Sequence, residues 1–259
     1  MVFHTFLLML YSEVNITRQA FPWGRAYVIE GADQAPLILP SVTTVLKLVK
    51  NEKYEKLREQ FGEERWNKIL YDAAERGTVM HRMLELFLLE WAKEKDVDRS
   101  LKKAQIFAIE ESRRDDGKYT KYVNKGRDLF WNFYHDKFWE NILEVVDNEA
   151  FLYTTFKGGW AGACDFVYRD LENYLIVEDF KSSTSLKDEE DILSYKLQIA
   201  AYMFMCAEKY GEVPKMGKIR IANEQTSTIQ TFTVHDYELK EYLGQFIDLA
   251  NKFREIHGI

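Results

Sequence analysis

The apolar positions of the chain form short runs typical of strands and longer periodic stripes typical of helices. Runs rich in β-branched and aromatic residues at 160–168 and 174–180 flank the polar segment 169–173 and predict an antiparallel hairpin. Apolar runs elsewhere predict strands at 3–11, 25–31, 149–156, 217–223 and 228–234. A turn is expected at 22–24, where a proline and a glycine flank a tryptophan.

Helical spacing of apolar side chains predicts helices at 42–49, 53–61, 63–94, 101–111, 119–140, 188–210 and 237–257. Ser41 follows Pro40 and precedes the first of these helices, so it is a good N-cap candidate. A helix N-terminus can equally bind a phosphate through its free backbone N–H groups. The residues leave these two interpretations of Ser41 open.

The predicted hairpin carries three charged side chains that the strand geometry brings together. Successive side chains of a strand point to opposite faces, so Asp179 and Lys181 share one face, whereas Phe180 points away. If the turn is centred on Glu172, Asp165 lies opposite Asp179. Opposed Cβ atoms of antiparallel strands are about 4.5–5.5 Å apart. Two carboxylates and one ammonium group are therefore expected to converge on a small volume.

Two carboxylates this close repel one another unless a proton or a cation lies between them. Mg²⁺ prefers oxygen ligands and is commonly held by one or two carboxylates together with water and a substrate phosphate. The pair formed by Asp165 and Asp179 therefore predicts a divalent-metal site. Lys181 would face the water or the phosphate, where it could stabilise negative charge or help to deprotonate the nucleophile.

Five motifs lie between about residue 40 and about residue 205 in a specific order. They are PSVT at 40–43, RGTVMHRMLE at 76–85, GACD at 162–165, DFK at 179–181 and KLQIAAYMF at 196–204. The last four resemble the RecB-type exonuclease branch of the PD-(D/E)XK nuclease superfamily. The first is similar to the opening of the mitochondrial genome maintenance exonucleases and related phage proteins. A D-x-K triplet alone is common, whereas five elements in this order are specific.

The resemblance implies a fold class and an activity. The fold would be α/β, with a restriction-endonuclease-like core of mixed β-sheet flanked by helices, a helical insertion and an N-terminal β-appendage. The activity would be Mg²⁺- or Mn²⁺-dependent cleavage of DNA from ends, preferably of single strands, in DNA replication, repair or recombination. A structure-selective or restriction-like endonuclease and a non-catalytic DNA-binding subunit are the alternatives.

The resemblance also implies metal ligands beyond the two aspartates. His81 would be a ligand, together with the backbone carbonyl of Phe180. Glu85 lies four residues after His81 on the same helix face and would orient the imidazole from outside the metal. A lone helical histidine is more often a structural residue, so the motif around His81 carries this interpretation. Glu149 would support the site indirectly or would only begin a strand.

Substrate contacts would come from the helices and loops around the metal pair. The residues predicted to bind substrate are Ser41, Arg76, Ser182, Gln198 and Tyr202. Gln198 and Tyr202 share a helix face, although such a stripe is often a plain amphipathic face. Gly77 either marks a junction between two helices or lets another backbone or a DNA strand approach closely. The aromatic stripe at 119–140 is expected to be core packing, with base stacking as the alternative.

Composition restricts the partners and the compartment. The net charge of −7 argues against a uniformly basic surface, so DNA contact would require a local groove. The two cysteines, Cys164 and Cys206, form no C-x-x-C pair, so the four-cysteine iron–sulfur cluster of several RecB-type relatives is not expected. Cys164 is expected to be a small buried residue, and both thiols fit a reducing, cytoplasmic compartment. The apolar N-terminus is too short to span a bilayer and lacks the features of a secretory signal.

No repeat, long linker or low-complexity tract divides the 259 residues, so one nuclease domain is expected. Its parts would be a β-appendage at 1–35, a mainly helical part at 40–140, the catalytic sheet and helix at 145–235, and a C-terminal helix at 236–259.

Overall fold

The computed structural model of the chain describes residues 15–31, 35–49 and 52–259, and the strand predicted at 3–11 lies outside these ranges. The first sheet is antiparallel and contains Asn15–Phe21 (β1), Gly24–Glu30 (β2) and Leu37–Pro40 (β3). The strand predicted at 25–31 is confirmed as β2, and the predicted turn joins it to β1. The apolar pattern did not predict β1, because most of its side chains are polar and exposed.

Seven α-helices lie within the described ranges: Val42–Val45 (α1), Glu52–Phe61 (α2), Glu63–Glu94 (α3), Val97–Glu111 (α4), Thr120–Asp136 (α5), Leu193–Tyr210 (α6) and Leu239–His257 (α7). Short 3₁₀ segments occur at Leu46–Leu48, Arg114–Gly117, Phe138–Asn141 and Phe156–Gly158. The helix predicted at 119–140 ends at Asp136, because Lys137 adopts a left-handed conformation with φ 57°. None of the described helices is long and apolar enough to cross a membrane.

The central sheet consists of Ile142–Thr154 (β4), Trp160–Asp170 (β5), Leu175–Ser183 (β6), Met216–Asn223 (β7) and Thr228–His235 (β8), hydrogen-bonded in that order. Strands β6 and β7 are parallel, and the other neighbouring pairs are antiparallel. The predicted hairpin is confirmed as β5 and β6, and the predicted mixed sheet flanked by helices is confirmed. The prediction that Glu149 begins a strand is wrong, because β4 starts seven residues earlier, at Ile142.

Separate hydrophobic clusters cover the two faces of the central sheet. Helices α3, α4 and α5 cover one face and bury the rings of Phe87, Phe130, Phe133, Phe166 and Phe180. Helices α6 and α7 cover the other face, together with Trp160, Met203, Ile219 and Phe246. The rings of Phe130 and Phe133 are buried, which confirms core packing for this part of the aromatic stripe. The predicted burial of Cys164 is confirmed, and Cys206 is buried as well.

Helix α3 runs without interruption through Gly77, so a helix junction at this position is wrong. A Cβ atom at residue 77 would lie 3.6 Å from the Oγ atom of Ser182 on β6. This distance is an ordinary van der Waals contact, so the helix packs on the end of this strand at Gly77 and leaves room for a Cβ atom. Beyond Gly77, the second half of α3 carries Met80, Leu84 and Phe87 into the core.

A buried ion pair supports β6 on the face covered by α5. The carboxylate of Glu178 is fully buried, pairs with Arg220 on β7 and accepts a hydrogen bond from the Tyr168 hydroxyl at 2.9 Å. Arg220 also donates to Asp136 of α5 at 2.8 Å. Loss of one partner of a buried ion pair typically costs about 3–5 kcal/mol. These contacts therefore fix β6 between its neighbouring strands and α5.

The N-terminal sheet packs against β4 and β5. The ring of Tyr27 on β2 lies 5.1 Å from the ring of Phe151 on β4, measured between centroids. Ser41 forms an isolated parallel bridge with Ala161 of β5. Ser41 is also confirmed as the N-cap of α1, since its Oγ atom accepts a hydrogen bond from the Thr44 N–H at 3.1 Å. The N-terminal strands are thus joined directly to the strand that carries Asp165.

The first prediction concerns the packing of α5 on α3 at Gly126. A Cβ atom at residue 126 would lie 2.6 Å from the Cβ of Val79 and 2.8 Å from the carbonyl oxygen of Arg76. Alanine favours a helix over glycine by about 1 kcal/mol, but overpacking a core typically costs about 1–3 kcal/mol. Because a backbone carbonyl moves only with its helix, Gly126→Ala should lower the free energy of unfolding, as measured by urea denaturation.

Gly244→Ala in α7 is the matched control. Among the described residues, a Cβ atom at position 244 would have no neighbouring atom within 4 Å, apart from the adjacent residues and the backbone of its own helix. Helix propensity alone should then raise the free energy of unfolding by up to about 1 kcal/mol. Stabilisation of the protein by both substitutions would show that α3 and α5 do not approach as closely as described.

Candidate active site

Glu149 and Asp165 occupy facing positions on the neighbouring strands β4 and β5. The register pairs the residues on either side of Glu149 with those on either side of Asp165. Glu149 itself has a left-handed backbone conformation, with φ 54°, inside an otherwise extended strand. Such a conformation is uncommon for a residue with a side chain and costs of order 1–3 kcal/mol. It redirects the Glu149 side chain within a strand that is otherwise regular at this point.

The register predicted for the hairpin is confirmed up to its last pair. Phe166 of β5 pairs with Glu178 of β6, as the predicted turn requires. One step further, where Asp165 would face Asp179, the ladder ends. There the Oδ2 atom of Asp165 accepts a hydrogen bond from the backbone N–H of Phe180 at 2.6 Å. A side-chain carboxylate thus takes the place of a backbone carbonyl at the point where the two strands separate.

His81 reaches these acids from helix α3. Its Nδ1 atom lies 3.4 Å from Oδ2 of Asp165. One ligand atom from each of His81, Glu149 and Asp165 falls within 4.8 Å of the other two. The expectation that Glu85 orients the imidazole is wrong in this structure, because the Glu85 carboxylate pairs with Arg82 and the imidazole faces Asp165 instead.

Asp179 is held by contacts from β6 and from α6. Its Oδ2 atom forms an ion pair with Lys181, as expected from their shared strand face. Its Oδ1 atom accepts a hydrogen bond from the Gln198 Nε2 atom at 3.3 Å, and the same nitrogen donates to the Tyr202 hydroxyl at 3.1 Å. Gly162 leaves room for this helix, since a Cβ atom there would lie 2.7 Å from the Tyr202 ring. The predicted face of α6 does point at the acids.

Burial and charge together separate the acidities of the three carboxyl groups. Burial acts to raise the pKa of Asp165, but attraction to His81 and Lys181 outweighs it and the pKa is lowered. Burial raises the pKa of Asp179 to about 6, and repulsion from Asp165 adds to the effect in spite of Lys181. Glu149 is exposed as a residue, but partial burial of its carboxyl group, together with repulsion from Asp165, raises its pKa to about 7.

The pKa values of the two basic groups are also raised, although burial acts on them in the opposite sense. Burial acts to lower the pKa of His81, but attraction to Asp165 outweighs this effect and the pKa is raised. The pKa of Lys181 is raised for the same reason, with Asp179 as the main source of attraction. The Lys181 ammonium also lies 5.5 Å from the centre of the Tyr195 ring. Both cations are therefore stabilised by the acids that they neutralise.

All these groups line one cavity of about 690 Å³. Its acidic part contains His81, Glu149, Asp165, Asp179 and Lys181, with Gln198 and Tyr202 beside them. A second part is formed by the N-terminal sheet and α1, through Arg18, Arg25, Tyr27, Ser41 and Thr43. None of the side chains that line it belongs to α5, so the aromatic helix is not a wall of this cavity in the described part of the chain.

Of the three other residues predicted to bind substrate, Ser41 lines this cavity, and Arg76 and Ser182 do not. Ser41 lines it, but its hydroxyl donates to the Thr44 Oγ1 atom at 2.8 Å inside α1. The side chain of Arg76 on α3 is buried, with its Nε atom 3.8 Å from the Glu224 carboxylate, and it does not line the cavity. Ser182 on β6 lies next to Gly77 of α3 and does not line the cavity either.

Sequence reasoning missed Glu149 as a potential ligand and gave no function to Arg18 or Arg25. A signal for Glu149 existed, because counting outwards from the 3₁₀ turn Phe156–Gly158 between β4 and β5 pairs it with Asp165. No comparable signal existed for Arg18, which lies on a strand that the apolar pattern did not reveal.

The second prediction is that the metal-free protein loses stability as the pH rises from about 5 to about 8. Glu149 and Asp179 bind protons more tightly in the folded protein, since their pKa values are raised to about 7 and about 6. The stability that they contribute is complete below the ordinary carboxyl pKa and is lost as the pH rises through the raised values. The raised pKa of His81 acts in the same direction. Thermal unfolding in chelator across this range measures the effect.

Glu149→Gln provides the control for this pH dependence, because the amide does not titrate. The variant should show a shallower fall of Tm with pH than the unaltered protein. A divalent cation should raise the Tm of the unaltered protein most at the high end of the range, where the ligands are deprotonated. An identical pH dependence in both proteins would exclude Glu149 as a source of the instability.

Comparison with known proteins gives a family-level match and distant structural similarities. No curated protein matches the chain. A crystal structure of a candidate exonuclease from Eubacterium rectale is similar over 71% of this chain and 68% of its own, with 16% identity and a TM-score of 0.47. The structure of a protein named SSO0001 is similar over 67% and 74%, with 13% identity and a TM-score of 0.36. Both likenesses are too distant to carry an argument.

The sequence model of the PD-(D/E)XK nuclease superfamily, in contrast, matches residues 52–257. This range contains the central sheet, helices α2 to α7 and every acidic residue of the cavity. The chain therefore belongs to the PD-(D/E)XK nuclease superfamily.

Proposed function

We propose that this nuclease is a divalent-metal-dependent deoxyribonuclease that degrades single-stranded DNA from an end, in replication, repair or recombination. The observation that carries the proposal is the convergence of His81, Glu149 and Asp165 in one cavity with the Asp179–Lys181 pair. Three carboxylates and an imidazole around a small volume form a cation site with a lysine at its edge.

The donor set fits a hard divalent ion. Carboxylate oxygens suit Mg²⁺ and Mn²⁺, and the imidazole shifts the preference towards Mn²⁺. The raised pKa values of Glu149 and Asp179 also fit, because they arise from burial and from repulsion by Asp165, and a bound cation would oppose both effects. His81, Glu149, Asp165 and Asp179 would hold the ion, with the carbonyl of Phe180 as a further candidate ligand.

When bound, the ion would activate water and offset negative charge on the phosphate. Side chains of the protein would neutralise further charge and orient the ligands. Lys181 lies at the edge of the acidic group, where its ammonium can neutralise charge that develops on the phosphate oxygens. Gln198 holds the Asp179 carboxylate, and Tyr202 holds Gln198, so α6 fixes the orientation of the acid.

A single strand suits this cavity better than a duplex. Its lining comes from α3, α6 and the N-terminal sheet, which together enclose the acids on several sides. A flexible strand can bend into such a cavity and unstack its bases against the walls, whereas a stiff duplex can do neither without a cost in energy. The aromatic rings of Tyr27 and Tyr202 lie in the lining, but α5 supplies no stacking surface there.

The third prediction concerns the metal ligands and the lysine. Asp165→Asn, Asp179→Asn, Glu149→Gln and Lys181→Ala should each lower the cleavage rate of end-labelled single-stranded DNA by about a hundredfold or more, since charge stabilisation by such groups is worth several kcal/mol. Calorimetric titration with Mn²⁺ should separate their roles. The three acid variants should bind Mn²⁺ more weakly, and Lys181→Ala should retain binding.

Asp248→Asn on α7 is a matched control, because this exposed aspartate lies outside the cavity. It should cleave at the unaltered rate. His81→Ala should reduce Mn²⁺ binding more than Mg²⁺ binding, because imidazole favours the softer ion. Near-normal turnover in Asp165→Asn or Asp179→Asn would refute the proposed metal site, and unchanged metal titration of His81→Ala would return that residue to a structural role.

The fourth prediction separates exonuclease from endonuclease action. With Mg²⁺ or Mn²⁺, the protein should degrade linear single-stranded DNA and leave closed circular single strands intact, and chelator should abolish the reaction. The linear single strand should also be degraded faster than a blunt duplex of the same sequence. Cleavage of the circle at the same rate would favour a structure-selective endonuclease with the same chemistry.

A further inference from the structure

We propose that the N-terminal sheet is a nucleic-acid-binding element, in which Arg18 and Arg25 bind a phosphate of the substrate strand other than the one that is cleaved. The inference rests on the proposed function, since it assigns a second contact to the same bound strand. The sheet lies before residue 52, where the match to the nuclease superfamily begins. It therefore concerns a part of the chain that the family assignment does not cover.

The two arginines share the face of the sheet that lines the cavity. Arg18 pairs with Tyr27, and Ala20 pairs with Arg25, across β1 and β2. Residues that face each other across a pair, and residues two apart along a strand, lie on the same face. Arg18, Arg25 and Tyr27 consequently form one surface, and all three line the cavity that contains the acids.

Within the described part of the chain, no carboxylate neutralises the charge of either arginine. Lys181 and Arg82, which line the same cavity, pair with Asp179 and Glu85. Arg18 and Arg25, in contrast, form no ion pair with any carboxylate among the described residues. The guanidinium of Arg25 donates to the Thr43 hydroxyl at 2.6 Å, which leaves most of its N–H groups available.

A phosphate is the ligand that best fits two such groups. Each guanidinium presents a planar set of donors that matches phosphate oxygens in a bidentate arrangement. A nucleic acid bound with one phosphate at the acids must pass its neighbouring phosphates along the walls of the cavity. The arginine wall offers positive charge for one of them, which would reduce the repulsion between the strand and the acidic part.

The backbone of Arg25 is fixed before any ligand binds. Its N–H donates to the Thr44 Oγ1 atom at 3.1 Å, and its carbonyl accepts from the Ser41 N–H at 3.1 Å and from Thr44 Oγ1 at 2.9 Å. Gly24 allows this contact, because it has φ 130° and a Cβ atom there would lie 2.5 Å from Thr44. A preorganised donor loses less entropy on binding.

The arginine wall is also joined mechanically to the acidic group. Ser41, which bonds to the backbone of Arg25, forms the bridge to Ala161 on β5. Asp165 lies four residues further along the same strand. The separation between the two phosphate-contacting parts of the cavity is therefore set by a short and rigid path through β5.

The test measures binding without cleavage. Fluorescence anisotropy in chelator would give the Kd of labelled single-stranded oligonucleotides for the full chain, for Arg18→Ala, for Arg25→Ala and for the double variant. Each substitution should raise Kd about tenfold, as expected for a charge-assisted hydrogen bond. The double variant, which loses this phosphate contact entirely, should also reduce the slope of log Kd against log salt by about 0.7, the value for one phosphate contact on a single strand.

Two substitutions serve as controls. Lys103→Ala removes one exposed positive charge on α4, outside the cavity, and Gln19→Ala alters the opposite face of β1 next to Arg18. Both should bind as the unaltered protein does. Because Arg18 and Arg25 are exposed, their variants should keep the Tm of the unaltered protein.

Three forms of the oligonucleotide distinguish the source of the phosphate. One carries a 5′-phosphate, one a 3′-phosphate, and one has hydroxyl groups at both ends. If the arginines hold a terminal phosphate, the unaltered protein should prefer one phosphorylated form and the double variant should lose that preference. If they hold an internal phosphate, all three forms should weaken equally. Either outcome supports the inference.

Unchanged Kd and salt slope in the double variant would overturn the inference, as would failure of the unaltered protein to bind any of the three forms. The outcome is independent of hydrolysis. A protein that binds through these arginines but never cleaves DNA would contradict the proposed function and leave this inference standing. Metal-dependent cleavage by a double variant with unaltered binding would do the reverse.

Discussion

Repulsion between carboxylates is the constraint on which the rest of this structure depends. Glu149, Asp165 and Asp179 lie on three adjacent strands, where like charges side by side oppose pairing. The surrounding elements offset that repulsion in different ways. An imidazole comes from α3, an ammonium from β6 and an N–H from the backbone, while two of the acids respond with raised pKa values. A bound cation would oppose the same repulsion.

The remainder of the fold prevents the acids from moving apart. Strand β6 carries Asp179 on the face of the candidate site and the buried Glu178 on the other, so adjacent residues belong to the acidic group and to the supporting ion pair. The ion pair of Glu178 with Arg220 ties β6 to β7, and the Arg220 contact to Asp136 ties β7 to α5. Because α5 packs closely on α3, the helix that carries His81 is connected to the same framework.

The sequence predicted the hairpin side of the site well and its β4 side poorly, for a physical reason. Asp165, Asp179 and Lys181 belong to regular strands joined by a short turn, and such strands obey a period of two. Counting outwards from the turn pairs Glu149 with Asp165, but its left-handed backbone interrupts the period of two, so alternation alone does not show the direction of its side chain. The polar strand β1 lacks the apolar signal that reveals a buried strand. Arg76 carried a family motif, but tertiary packing of α3 decides that it is buried.

The hydrogen bond from the Phe180 N–H to Asp165 makes one backbone amide part of the site. In an ordinary ladder this amide would sense only the neighbouring strand. Here its acceptor is a side chain whose charge changes with protonation and with any ligand that it binds. The Phe180 amide is therefore an intrinsic spectroscopic reporter. Its chemical shift and exchange with solvent should register the state of the Asp165 carboxylate without any label near the acids.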